Sequence, residues 1–210
     1  FSLLLPGFRG LWAAEGKVLV LLDGHEMHEL LYYTTPLGNR FPIDDIDSIE
    51  VMRGSGSAIY GGAAELAVIN IITRSAAKLN GFAAELRYGQ MFDGLAHHNQ
   101  SLADTFGRRT LSLHFGRHFT KLNDLALKLS VHAGQGNRSD QPYSDFWGSE
   151  YNMAQNARTD PLMTRLSVDY RGLQLRYLFE RYHTTIRDGW DEALDHTLPI
   201  NFSSSSLILR

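Results

Sequence analysis

From about Gly81 to its end, the chain alternates apolar and polar residues with a period of two. In FAAELRY, Phe82, Ala84, Leu86 and Tyr88 fall on one face, with Glu85 and Arg87 on the other. In TLSLHFGRHF, Leu111, Leu113 and Phe115 oppose Ser112, His114 and Gly116. LALKLSVHA sets Leu125, Leu127, Leu129 and Val131 against Lys128, Ser130 and His132. RLSVDYRG and LQLRYLFE repeat the pattern, and a sixth strand is expected to begin near Ser206. Successive side chains of a strand point to opposite faces, so each segment makes a sheet that is apolar on one side only.

Any half-buried antiparallel sheet alternates in this way, so the connections carry the next piece of information. They run long, short, long, short, long, the short ones lying near TKLN and at Arg171–Gly172. Short turns at one end, long polar loops at the other and segments of about ten alternating residues mark a transmembrane barrel. Tyr88, Phe119, Tyr170, Tyr177 and Phe179 fall on the apolar face, some near strand ends where an interfacial girdle would sit. A soluble β-sandwich is the alternative. The connection of more than twenty residues after Gly134 is long for a compact soluble domain.

Up to about Arg74 the pattern is mixed. KVLVLLDG reads as a buried strand ending in a turn, and DGHEMHELLYY as turn chemistry continuing into a short helical piece. FPIDDIDSIEVMRG predicts a proline-bounded turn and then a strand, and AVINIITR (Ala67–Arg74) a further strand. The expectation is a small α+β unit over residues 1–76, followed by antiparallel barrel strands over residues 80–210.

Composition removes several function classes. A net charge of −3 argues against an electrostatic nucleic-acid binder. The absence of cysteine excludes disulfides and thiolate metal sites. No run approaches the ~18 apolar residues of a spanning helix. The chain starts at Phe1 and stops within the strand-like SSSSLILR, so we expect a fragment of a longer protein.

The glycine-rich stretch IEVMRGSGSAIYGG (Ile49–Gly62) raises the possibility of an enzyme, and its spacing argues against one. No lysine follows any glycine as a Walker A loop requires. After Gly54 and Gly56 the next glycine is Gly61, two positions late for a dinucleotide fingerprint, and no obvious helix follows to hold an anion. Neither Ser55 nor Ser57 sits in G-x-S-x-G.

Three segments, VLVLLDG, FPIDDIDSIEVMRGSGSAIYGG and AVINIITR, stand in the order and spacing of one family. Over Lys17–Arg74 the chain resembles the plug domain of TonB-dependent outer-membrane receptors. It departs from the family pattern at Ser55, where proline is usual, and at Ala67, where glycine is frequent. FRGL (Phe8–Leu11) is similar to the upstream RG strand of the plug.

The resemblance implies a 22-stranded barrel around the plug, about six of whose strands are present. It implies an outer-membrane transporter, not an enzyme, with no cofactor. Such a protein takes up a scarce nutrient such as a ferric siderophore, haem or cobalamin. Its implied partners are outer-membrane lipid and the inner-membrane energy transducer TonB, whose docking box this chain does not contain. Two alternatives remain open: a soluble α/β protein fused to a carbohydrate-binding β-sandwich, or an outer-membrane adhesin or phage receptor.

Within this frame Glu50 and Arg53 are candidates for anchoring the plug to the barrel wall, because a broken buried pair leaves an uncompensated charge. Gly54, Gly56, Gly61 and Gly62 are expected to serve backbone shape. HEMHELLYYTTPLGNR corresponds to an apical ligand loop. There His28, Tyr32, Tyr33, Thr34, Thr35 and Asn39 offer the aromatic and hydrogen-bonding groups that suit an organic chelate.

Nine histidines invite a metal site. HEMH is not H-E-x-x-H, and His114 and His118 lie ~13 Å apart along a strand at ~3.3 Å per residue. That is too far for one ion, so no metal site is predicted. His97 and His98 fall in a predicted outer loop.

Overall fold

The computed structural model describes residues 7–8, 11–12, 17–28, 35, 39–54, 56–61, 64–90, 107–137, 143–144, 148–151, 156, 158–186 and 198–210. A two-stranded ribbon, β1 (Gly7–Phe8) and β2 (Leu11–Trp12), comes first. A four-stranded sheet of order β4-β3-β6-β5 follows. Its strands are β3 (Val18–Leu22), β4 (His25–Glu26), β5 (Ile46–Arg53) and β6 (Ala67–Thr73). All five residues of β3 are buried, because this strand is inside the sheet and covered on both faces. That explains why VLVLL is an unbroken apolar run rather than an alternating one.

Asp23 and Gly24, both at positive φ, close the β3–β4 hairpin. Both central residues of the tight turn that matches strand twist require such φ values, which Asp-Gly supplies. A three-residue 3-10 turn, Ile43–Asp45, leads into β5, the edge strand, whose residues after Ile46 are all exposed. The glycine stretch does carry one helical turn, α1 (Ser57–Tyr60), where none was expected. A second, α2 (Ala76–Leu79), is capped by Ser75 Oγ accepting from Lys78 N at 3.2 Å.

The remaining long strands form one antiparallel sheet in chain order: β7 (Gly81–Gln90), β8 (Gly107–Phe119), β9 (Leu125–Gly136), β12 (Thr159–Tyr170), β13 (Leu173–Ile186) and β14 (Leu198–Leu209). A small ribbon, β10 (Tyr143–Ser144) with β11 (Glu150–Tyr151), lies in the connection from β9 to β12. The sixth long strand starts eight positions before the expected Ser206. Its inward residues include Ile200, Phe202, Ser204 and Ser206 and its outward ones Ser203, Ser205 and Leu207, so NFSSSS hides the usual alternation.

This sheet is inside out. Thr110, Ser112, His114, Lys128, Ser130, His132, Arg165, Glu180 and Thr184 are buried, whereas Phe82, Leu86, Tyr88, Phe115, Leu129, Leu166, Tyr177 and Leu207 are exposed. The sandwich alternative needs two packed sheets of this kind. Here the six strands form a single sheet, and its inner face meets the four-stranded sheet instead. Met163 and Leu178 from that face join Val20, Leu22, Met27, Phe41 and Ile71 in one apolar cluster. Burying each such side chain contributes about 1.5–3 kcal/mol.

Candidate functional site

The polar contact between the two sheets is the most distinctive chemical feature of the molecule. Its centre is Asp45, fully buried at the end of the 3-10 turn. Proline at 42 and the tight turn project this carboxylate onto the inner face of β9 and β12. There Arg165 Nη2 donates to Asp45 Oδ2, as does Ser130 Oγ at 3.2 Å, and Lys128 Nζ lies 3.1 Å from Oδ1. The Lys128 ammonium also donates to Thr73 Oγ1 (2.7 Å) and to the Arg74 carbonyl (2.6 Å).

Asp23 completes the group. Its carboxylate accepts from the Thr73 N–H and hydroxyl, both at 2.8 Å, and from Arg165 Nη1 at 3.4 Å. Its carbonyl accepts from Arg176 Nη1 at 2.9 Å. Lys128 and Arg165 are thus matched against Asp45 and Asp23, which is the condition for holding charges out of water.

Next to it, His114 Nε2 donates to Asp44 Oδ2 at 2.6 Å. Burial pushes the Asp44 carboxyl up. The His114 hydrogen bond, a backbone hydrogen bond and the attraction of the imidazole outweigh this and hold it below its ordinary value of 3.8.

A second connection lies toward the long-loop end. Arg40 grips Glu180 through Nε (3.0 Å) and Nη2 (2.5 Å) while Nη1 donates to the Met27 carbonyl at 3.0 Å. Ser204 Oγ holds the same carboxylate at 2.9 Å. This two-pronged geometry is the strong form of an arginine–carboxylate pair. Further along, His132 bridges Ser112 Oγ (3.0 Å) and the Asn39 carbonyl (3.4 Å). At the short-turn end α2 packs on β8 at Gly116, where an added Cβ would come within 2.7 Å of Leu79 Cβ.

The anchoring expected of Glu50 and Arg53 falls on other residues in these contacts. Glu50 accepts from Asn70 Nδ2 at 3.3 Å and Arg53 is exposed at the sheet edge. Neither forms an ion pair with the six-stranded sheet among the described residues. Sequence reasoning passed over Asp44 and Asp45 because a polar run after proline reads as an ordinary turn. The available signal lay in the strands: Lys128 and Arg165 sit in mid-strand on the inward face and need a counter-charge.

Of the apical candidates, His28 bonds to the Val18 carbonyl at 3.0 Å through Nε2. Thr35 is buried, and Asn39 adopts a positive φ of 58° beside His132. Tyr32, Tyr33 and Thr34 lie outside the described residues, as do Gly62, His97 and His98. Gly54 has φ +109°, which favours glycine, and its N–H donates to the Leu66 carbonyl. Gly56 is a place of close approach, since a Cβ there would come within 2.9 Å of Val68 Cγ2.

The family model described as TonB-dependent Receptor Plug Domain matches residues 5–67. Among solved structures, the chain is similar to a mutant of the ferric enterobactin receptor PfeA from Pseudomonas aeruginosa, in complex with enterobactin. That likeness has a TM-score of 0.50 at 20% identity and covers 81% of this chain and 26% of that one. The siderophore receptor PirA from the same organism gives a TM-score of 0.48 at 15% identity, covering 97% of this chain and 36% of that one. The chain therefore spans about a quarter to a third of the length of these receptors. Residues 5–67 thus match the TonB-dependent receptor plug, and they stand ahead of an antiparallel sheet whose polar face is turned inward.

Proposed function

We propose that the protein is an outer-membrane transporter that binds a scarce nutrient at its outer face. It would deliver the nutrient to the periplasm using energy transduced by TonB. A ferric siderophore is the first choice of cargo, with haem and cobalamin as the other members of the class. The observation that carries this reading is the buried ion-pair network around Asp45. It ties a plug-type sheet to the polar inner face of a sheet whose outer face is apolar. We assign residues 1–76 to the plug and 80–210 to the wall.

In this arrangement Glu50 and Arg53, exposed on the edge strand, are free to meet strands of the wall beyond β14. Asn39 stands toward the end of the sheet from which the chain leaves β9 for its long connection, since its carbonyl contacts His132. His28, Tyr32, Tyr33, Thr34, Thr35 and Asn39 are accordingly the proposed plug contribution to ligand binding.

The test is uptake of labelled ferric siderophore by cells carrying or lacking the complete gene, with and without TonB. Uptake that needs both supports the proposal. Uptake unaffected by the deletion, for siderophore, haem and cobalamin alike, would turn the reading toward an attachment protein.

A further inference from the structure

On the outward face of the six-stranded sheet, hydrogen-bond register arranges the side chains in rows. Phe82, Phe115, Leu129, Leu166, Tyr177 and Leu207 form one row across all six strands. Following each strand from this row toward the long loops, the apolar surface ends abruptly. On β8 the break lies between Leu111 and Arg109, on β13 between Phe179 and Arg181, and on β14 between Leu207 and Ser205. Relative to the rows the break therefore descends two residues from β8 to β13 and two more from β13 to β14.

A level surface crossing tilted strands does the same. Strands ~4.8 Å apart and tilted by about 40° shift such a level by roughly one residue per strand. The two arginines, though in different rows, thus stand at one height, just outside the apolar band. Three strand spacings and a two-residue offset along the strands put them on the order of 16 Å apart.

Both Arg109 and Arg181 are exposed, and neither is in an ion pair among the described residues. The other described charged groups at this level do not neutralise them. Asp160 is taken by Arg158 at 2.9 Å, and His183 bonds to Asn201 Oδ1 at 2.7 Å. Tyr88 pairs in register with Arg109, and an aromatic ring at the rim of an apolar band suits a membrane interface. Two unpaired guanidinium groups with bidentate donors, held at one level above an apolar face, complement phosphate oxygens better than any neutral headgroup.

We propose that Arg109 and Arg181 form a docking surface for the phosphates of anionic lipid in the outer leaflet. This inference rests on the outer-membrane reading above. It adds a lipid-contacting role to residues that the transport reading leaves unassigned.

The experiment uses the full-length receptor, purified in detergent and incubated with bis-phosphorylated lipid A, with retained lipid counted by native mass spectrometry. Phosphatidylcholine is the neutral control. Wild type should retain lipid A over phosphatidylcholine, and R109Q and R181Q should each lower retention by about fivefold, the scale for one basic residue at an anionic surface. R109K/R181K, which keeps the charge, should preserve most of it and serves as the folding control. Equal retention by wild type and R109Q/R181Q would overturn the proposal. So would retention that inorganic phosphate abolishes at millimolar concentration, which indicates a free-anion site, or a receptor dimer that the same substitutions dissociate. A wild-type protein that fails to insert in membranes would instead count against the outer-membrane reading and remove the basis of the inference with it.

Discussion

The two main sheets of this chain bury opposite kinds of residue. In the four-stranded sheet the hidden positions are Val18 to Leu22, Val68 and Ile71. In the six-stranded sheet the hidden positions are mainly Thr, Ser, His, Lys, Arg and Glu, while Leu, Phe and Tyr cover the outside. Both obey the same rule, that apolar surface leaves water. What differs is where the non-aqueous surroundings lie. For the first sheet they are supplied by the protein's own packing, and for the second by whatever touches its outer face. A burial pattern is therefore a statement about the solvent on each side of a sheet.

The sharpest way to break this comparison is to damage the polar interior where its charge balance is concentrated. Asp45→Ala leaves Lys128 and Arg165 buried without their shared carboxylate. It should destabilise the receptor by about 3–5 kcal/mol, read as a drop in the urea midpoint of the detergent-solubilised protein. An unchanged midpoint would mean that the network is solvated and that the inner face is not an interior.

The outer face can be challenged by the inverse change. Leu129→Arg places a charge in the apolar row and should cost about 2–4 kcal/mol in a bilayer, measured by reversible unfolding from liposomes. If instead the penalty were within a few tenths of a kcal/mol, the outer face would be water-facing.

The join between the two sheets comes next. Gly116→Ala drives a methyl group into Leu79 and Ala76, and overpacking of this sort costs about 1–3 kcal/mol. Protease cleavage within residues 74–80 should rise in parallel, and continued resistance would show that α2 has room to shift.

Acid provides the mildest probe. Asp44 is held below 3.8 in the folded protein, so its contribution is present above the unfolded value and lost as pH falls through the folded one. Its contact with His114 should persist at pH 5 and weaken only below about pH 4, as judged by the pH dependence of stability in wild type against Asp44→Asn. A difference that vanished already between pH 7 and pH 5 would contradict this.

Much of this architecture was legible in the sequence, and the exceptions have physical causes. Face assignment in β7, β8, β9, β12 and β13 followed from period-two alternation because apolar and polar surroundings lie on either side of a single layer. β14 was misplaced because Ser203 to Ser206 occupy both faces near the edge of the apolar band, where neither side strongly demands a hydrophobic residue. The anchoring network around Asp45 was not legible because ion pairing is a relation between segments far apart in the chain: Asp45 meets Lys128 and Arg165 only after the sheets assemble. The helical turns α1 and α2, of four residues each, are too short for a 3.6-residue period to declare itself.

The link between the sheets has a mechanical consequence. Residues 74–80 run from the end of β6 to the start of β7, and α2 keeps their middle coiled against the wall. Fully drawn out at ~3.3–3.6 Å per residue they reach about 24 Å, and uncoiling α2 alone frees roughly 8 Å of slack relative to a helical rise of 1.5 Å. The segment is a leash with a fixed length. However far the four-stranded sheet were drawn from its seat, its last strand could not travel beyond that radius from Gly81.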